Sequence, residues 1–472
     1  MKSVDPILRN AGALAASQII IKALNIVVSV MMVRWLGAQN LGRYSYILAF
    51  CYPFGAVADF GLATLAIRDI SQDRRRETVV LATLRRLLVT LTTLSSFALL
   101  TTAALTRHDA VTFLGIAVVA LSSLLSVLTT PFLVALTARE QLHLLSLYRI
   151  CAALLGSLAT LTVLLAGGTV LPLLLSAAGV NVLMLGIARL LAGNPGPPVR
   201  TTLPGQLSML RKAVPFGCLM VGFALYYRVD MIMLEWLRGP QEVGLYAAAY
   251  RFLDAVMLLA ASLGGPFFPR FSNLIASNPG KVRELLEAMW RPLFALGLPL
   301  SLGVFLVSDQ LVLVLFGREF AGAGRLTAVL IWGTLPLFWV NVANHALNAA
   351  DRVWSLAAVY GISSMVNIAG NLILIPMFGG LGASLATLFC EWLNLVLIIG
   401  LIRRHFGVSF SAEGLWRYAL ASAGLACALW MTRGYGLAAE LLLGGLAYVG
   451  GLFFLGYARS ADMLAVKQLL IQ

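Results

Sequence analysis

WLGAQNLGRY, residues 35–44, and WLRGPQEVGLY, residues 236–246, are two copies of one phrase. Each has Trp-Leu, a short polar turn, a branched residue, Gly, a free position and Tyr, with one residue inserted in the second copy. A shorter echo links Gly167-Gly168 to Gly379-Gly380. Both copies of the phrase lie between apolar runs of roughly twenty residues, the length that crosses a hydrocarbon core as helix. Six runs separate corresponding points. An even number preserves direction through the bilayer, so the halves read as parallel repeats related by an axis along the membrane normal.

Working outward, the first six spans fall at roughly 11–33, 44–66, 87–106, 110–137, 149–167 and 170–190. The next six fall at roughly 213–236, 243–268, 292–316, 326–350, 355–376 and 380–402, and a last pair at roughly 417–432 and 436–458. The expected fold is an all-α polytopic membrane protein of about fourteen helices, two pseudo-symmetric six-helix lobes with two helices added. The expected divisions are 1–205, 206–405 and 406–472. The Pro- and Gly-rich segment 193–215 serves as the linker between lobes. SNPGKVRELLEAMWRP (277–292) reads as a turn and then a short amphipathic helix on the membrane surface.

Composition supports this. Of 472 residues, 60% are hydrophobic and 11% charged, whereas a soluble surface needs about a quarter charged. The net charge of +14 does not point to nucleic acid, because the cations occupy short loops between apolar runs. With the N-terminus inside, 24 of the 34 cations face the cytoplasm, seven face out and three lie within spans. That bias predicts both termini in the cytoplasm of a cell inner membrane. MKSVDPILRN is mildly basic, but the apolar run after it is too long for a signal-peptide core and carries Lys22, so it reads as a retained first helix. All five cysteines lie in apolar segments without metal-type spacing and read as small core residues.

The three buried cations are Lys22, Arg228 and Arg251. A charge at mid-membrane costs several kcal/mol unless it faces a wet or protein-lined interior. Gln18, Lys22, Asn25 and Ser29 share one helix face, with a packing ion pair between Lys22 and Asp59 as the structural alternative. Arg228 and Asp230, then Arg251 and Asp254, carry charges for which the first half has Val27, Ser29, Ala49 and Tyr52. The shared scaffold therefore packs without them, and they read either as a task of the second half or as a neutralised packing cluster. Asn341, Asn344, His345 and Asn348 form another polar stripe, Asn367 and Asn371 an i,i+4 pair, and Thr387 with Glu391 a second. No P-loop, HExxH, acidic metal pair or nucleophile elbow is present, so the chain reads as no enzyme.

RWLGAQNLGRYSY, DFGLATLAIRDIS, AVPFG, RVDMIML with EVGLYAAAYRF, FFPRFSNL and PMFGGLGASLATLFCEW occur in an order that resembles the oligosaccharide (O-antigen, Wzx-type) flippases. These belong to the MOP superfamily, with the lipid II flippase and the MATE multidrug transporters. The resemblance covers about 400 residues, and its motifs are specific as a set rather than singly. It implies a MATE-like pair of lobes around a cavity, moving undecaprenyl-diphosphate-linked glycan from the cytoplasmic to the periplasmic leaflet. Gln18, Lys22, Asn25, Arg228, Arg251 and Asp254 are then the expected cavity residues. The lipid II flippase's sodium site resembles Asp230, Asn367, Asn371, Ala383 (through its carbonyl) and Thr387, with Asn371 in place of a carboxylate. The resemblance thus implies coupling to sodium or protons, no other cofactor, and as partners the lipid-linked glycan, membrane lipids and assembly proteins such as a polymerase. The rival readings are a cation-coupled multidrug exporter, which favours an acidic, aromatic lumen, and a polysaccharide polymerase or ligase, which favours a large periplasmic loop.

Overall fold

Apolar runs that cannot leave backbone groups unpaired in hydrocarbon must close their hydrogen bonds internally. In the computed structural model they do so as helix, over the described residues 4–193, 201–265 and 267–456. The first helices are α1 (Val4–Asp59), α2 (Leu62–Gln72), α3 (Glu77–Leu105), α4 (Ala110–Ser126), α5 (Thr130–Ala138), α6 (Leu142–Leu165) and α7 (Val170–Ala192). Then come α8 (Leu203–Arg238), α9 (Pro240–Gly264), α10 (Phe267–Ser277), α11 (Pro279–Phe316), α12 (Ala323–Leu330) and α13 (Thr334–Ala349). The last are α14 (Val353–Phe378), α15 (Gly380–Phe406), α16 (Leu415–Met431) and α17 (Leu437–Phe454).

Among the described residues, eleven helical stretches are long and apolar enough to cross a membrane, or twelve with the bent pair α4–α5 taken as one span. The expected fourteen differs at two places. α1 is not one straight rod: Gly37 (φ 71°, ψ 168°) turns the chain inside it, so the expected spans 11–33 and 44–66 are its two arms. α16 has only 17 residues. Other boundaries move for local reasons. The second arm of α1 stops at Asp59, where Phe60 and Gly61 take positive φ, and α2 restarts the helix. The span expected at 110–137 is broken before Pro131, with a 42° bend. The separate surface helix expected at 277–292 is corrected: α11 runs unbroken from Pro279 to Phe316 through Pro292 and Pro299.

Packing divides the chain into two units, Met1–Gly244 and Leu245–Gln472. In the first, α8 packs along α1 and α2. One end of the unit is built on an apolar cluster that joins Leu62, Leu65 and Ile70 of α2, Leu84, Leu87 and Leu88 of α3, and Met209 and Ala213 of α8. In the second unit, α14 and α15 form a close hairpin, and α16 and α17 pack together. That C-terminal pair docks on α11 through Val307, Leu425 and Leu429. Tyr448 donates a hydrogen bond of 2.5 Å to the Ala295 carbonyl.

Candidate functional site

The expected cavity residues fall in both units. Gln18 and Lys22 lie on the backbone of α1, but their side chains are outside the described residues. Asn25, on the same face, is exposed. Its neighbours Ile26 and Val27 are also exposed, so this arm of α1 presents a mixed surface. Arg228 is half-buried on α8. Its guanidinium lies 4.3 Å from the centre of the Tyr227 ring, and its Nη1 is 3.7 Å from the Met231 sulfur. Tyr227 stacks on Phe223 (5.6 Å, 11°) and meets Tyr52 of α1 at 6.3 Å. The first unit thus places a cation against a wall of three aromatic rings. Nothing in the sequence marks Phe223 and Tyr227, because an aromatic at helical spacing in an apolar run looks like ordinary core.

Asp230, two residues on, is 2% exposed and accepts the Met231 N–H at 2.7 Å. Arg251 and Asp254 belong to the second unit, on α9, and both are half-buried. The Arg251 Nε is shut away from solvent with no hydrogen-bond partner among the described residues, an arrangement costly to keep without a ligand or water.

The other four residues of the expected cation site lie in the second unit, on α14 and α15. Asn367, Asn371, Ala383 and Thr387 are 1%, 0%, 0% and 4% exposed, on the packed hairpin α14–α15. The i,i+4 spacing of the two asparagines works as expected: Asn371 Nδ2 donates to Asn367 Oδ1 at 2.8 Å and to its carbonyl at 2.9 Å. That leaves Asn371 Oδ1 buried with no donor among the described residues. An orphan acceptor oxygen one turn from a second amide oxygen is of the donor type that suits a hard cation such as sodium. Thr387 Oγ1 lies 3.0 Å from the Tyr246 hydroxyl. Tyr246 closes the second copy of the repeated phrase, a position that gave no sign of this role in the sequence.

One turn beyond Thr387, Glu391 is 5% exposed, and a Cβ on Gly333 would sit 3.4 Å from its Cγ. Around it run further hydrogen bonds, Asn344 to Tyr360 at 2.7 Å, partly buried, and Ser363 to Asn394 at 2.5 Å, fully buried. His345 stands apart from this network, edge-on to Phe268. Chemically, the first unit offers a cation beside aromatic faces, and the second a set of buried amide and hydroxyl oxygens.

The model of a family described as polysaccharide biosynthesis protein matches residues 7–275, and that of the lipid II flippase MurJ matches residues 241–452. The chain is 25% identical over 178 residues to a probable low-salt glycan biosynthesis flippase, Agl15, of Haloferax volcanii, covering 38% of each chain. It is 29% identical over 185 residues to the probable flippase AglR of the same organism, covering 37% of each. A putative O-antigen transporter of Shigella dysenteriae is 22% identical over 204 residues, covering 41% of this chain and 48% of that one. The matches thus span about two fifths to one half of these relatives' length. Among solved structures, the lipid II flippase MurJ in an inward closed conformation superposes with a TM-score of 0.78 at 12% identity, over 93% of this chain and 98% of that one. An inward-facing MATE multidrug transporter of the MOP superfamily gives 0.65 at 12% identity, over 84% and 98%. The fold is therefore that of the MOP superfamily.

Proposed function

Because the chain belongs to the polysaccharide biosynthesis protein family, we propose that it is a flippase for lipid-linked oligosaccharide. It carries an undecaprenyl-diphosphate-linked glycan from the cytoplasmic to the periplasmic leaflet of the inner membrane by alternating access, without chemical change to the substrate. In this reading both termini face the cytoplasm, which the cation bias supports. The observation that carries this reading is Arg228 over the Tyr227 ring, continued by Tyr52 and Phe223. A guanidinium makes forked contacts to phosphate, and flat aromatic faces suit a sugar ring beside it. Lys22 and Arg251 supply the further cations, with Gln18, Asn25 and Asp254 as polar neighbours. Asn367, Asn371, Ala383, Thr387 and Asp230 bind a sodium ion that drives the cycle, with Glu391 as the carboxylate if protons drive it instead. A polysaccharide polymerase and other assembly proteins of the same membrane are the partners.

The deciding experiment reconstitutes the protein in liposomes with a fluorescent polyprenyl-diphosphate glycan and follows its accessibility to a membrane-impermeant quencher. Protein-dependent transfer that is lost in Arg228→Ala supports the reading. Transfer of cationic dyes in place of the glycan establishes the multidrug rival, and neither activity refutes the proposal.

A further inference from the structure

Eight cations gather at one end of the first unit: Arg68, Arg74, Arg75, Arg76, Arg85, Arg86, Arg211 and Lys212, all exposed. The structure assigns this surface a partner, the phosphate plane of an anionic phospholipid leaflet.

Three observations converge on it. First, depth. α3 begins at Glu77 and α8 at Leu203, so Arg85 and Arg211 each come eight positions after their helix starts, followed by Arg86 and Lys212. At 1.5 Å per residue, α3 with its 29 residues is about 44 Å long and α8 with its 36 about 54 Å. A hydrocarbon core is only about 30 Å thick, so the first turns of both helices project into the headgroups. The two pairs border one apolar cluster, because the residues flanking them (Leu84 and Leu87, Met209 and Ala213) all belong to it. Arg68 joins them, since its neighbours Ala66 and Ile70 belong to the same cluster.

Second, these charges have no ion-pair partners among the described residues. Of the nearby acids, Glu77 pairs with Arg139 at 2.6 Å, the Asp73 side chain accepts the Arg75 backbone N–H at 3.1 Å, and Asp69 forms no ion pair among the described residues. The positive-inside bias explains on which side such cations lie, but not why they remain unpaired around one cluster.

Third, exposed apolar residues lie among them. Leu203 and Leu207 are 68% and 48% exposed on α8, at i and i+4 with Arg211 at i+8, and Val79 is 48% exposed on α3. Apolar side chains that enter the acyl boundary beside cations at phosphate level mark a bilayer surface. A pocket for free phosphate gathers its donors on one point, whereas these are spread over four segments.

The test uses the full-length protein in nanodiscs of phosphatidylcholine, with or without phosphatidylglycerol. Thermal unfolding midpoints and lipids retained in native mass spectrometry are the readouts. Phosphatidylglycerol is expected to raise the midpoint and to be retained, with affinity falling about fivefold for each cation neutralised. The pairs R85Q/R86Q and R211Q/K212Q should each lose most of the gain, as should R74Q/R75Q/R76Q in the turn outside the helices. R107Q, at the other end of α3, should keep it, and the charge-preserving R85K/R86K should retain it where the glutamine pair folds poorly. The assignment is overturned if phosphatidylglycerol gives no gain, or if the neutralised variants keep all of it. It is also overturned if inorganic pyrophosphate reproduces the gain in pure phosphatidylcholine, which would reveal a free-phosphate site instead.

Discussion

Gly42 and Gly244 hold the same place in the two copies of the repeated phrase, and each packs against the other copy. A Cβ on Gly42 would overlap the Pro240 carbonyl, and one on Gly244 would overlap the Ala38 carbonyl. Ala38 and Pro240 are themselves equivalent, each following a glycine of positive φ, Gly37 at 71° and Gly239 at 85°. The contact is therefore reciprocal, as across a two-fold axis, and it identifies Arg238 as the inserted residue. Backbone against backbone leaves no side chain free to give way. Gly42→Ala and Gly244→Ala should each destabilise the protein by about 1–3 kcal/mol, read as a lowered thermal midpoint in detergent. Gly55→Ala, where a Cβ meets open space, is the control and should be nearly silent.

A second reciprocal contact joins Phe60-Gly61 to Phe216-Gly217. A Cβ on Gly217 would sit 2.6 Å from the Phe60 ring, and one on Gly61 would overlap the Phe216 side chain. Here one partner is a side chain, so the cost is recoverable. Gly217→Ala alone should destabilise by about 1–3 kcal/mol. Combined with Phe60→Ala it should cost less than the sum of the single changes, with a coupling of about 0.5–3 kcal/mol. Strict additivity in the cycle would mean that the two residues do not press on each other.

How far the sequence revealed all this depends on the kind of signal. The duplication was legible because its marks are glycines and aromatics in fixed order, and the helical class because hydrocarbon permits little else. The i,i+4 pairing of Asn367 with Asn371 also followed from helix geometry alone. Tyr246 beside Thr387, and Tyr52 beside Tyr227, could not be read that way, since 141 positions separate the first pair and only folding brings such residues together. Breaks such as Phe60-Gly61 were hidden for a different reason: hydropathy continues through them while φ changes sign.

His108, in the loop between α3 and α4, gives a pH signature. Burial against Tyr46 and Phe50 pushes its pKa below the ordinary 6.5, opposed by the charge of Asp109. Its Nε2 lies 2.8 Å from the Thr106 hydroxyl and 3.3 Å from that of Tyr46, which in turn accepts the Trp236 indole N–H at 3.1 Å. Between the lowered folded value and 6.5, the unfolded chain binds more protons, so stability rises with pH across that window. The contribution is fully present above about 6.5 and is lost as pH falls through the folded value. Thermal midpoints measured across that range should decline toward acid in the wild type. His108→Gln should flatten the decline, and an unchanged slope would remove His108 as its source.

The orphan oxygen of Asn371 leads to a prediction about sodium. A ligand that binds only the folded state adds RT ln(1 + [L]/Kd), about 1.4 kcal/mol at ten times Kd. Sodium chloride should therefore raise the thermal midpoint above that in choline chloride at equal ionic strength. Asp230→Asn removes the one carboxylate of the proposed ligand set and Asn371→Leu its orphan acceptor, so each should abolish the difference. Tyr246→Phe should only weaken it, because Thr387 then loses one hydrogen bond but remains in place. Equal midpoints in the two salts for the wild type would exclude a coupled sodium site here.

The sharpest test of the substrate reading is at Arg228, because charge and shape can be separated there. Arg228→Ala removes both and should abolish glycan transfer in liposomes. Arg228→Lys keeps the charge but loses the fork and the flat contact with Tyr227, so it should restore transfer only in part. The contact with the ring, at 4.3 Å, is of a kind worth about 0.5–2 kcal/mol, or roughly two- to thirtyfold in rate if it holds the cation in place. Tyr227→Leu should therefore slow transfer within that range, while Tyr227→Phe, which keeps the ring, should be milder. A positioning effect predicts that Tyr227→Leu adds nothing once Arg228 is already lysine. Full additivity would instead assign Tyr227 its own contact with the sugar, and wild-type transfer by Arg228→Ala would remove Arg228 from the site altogether.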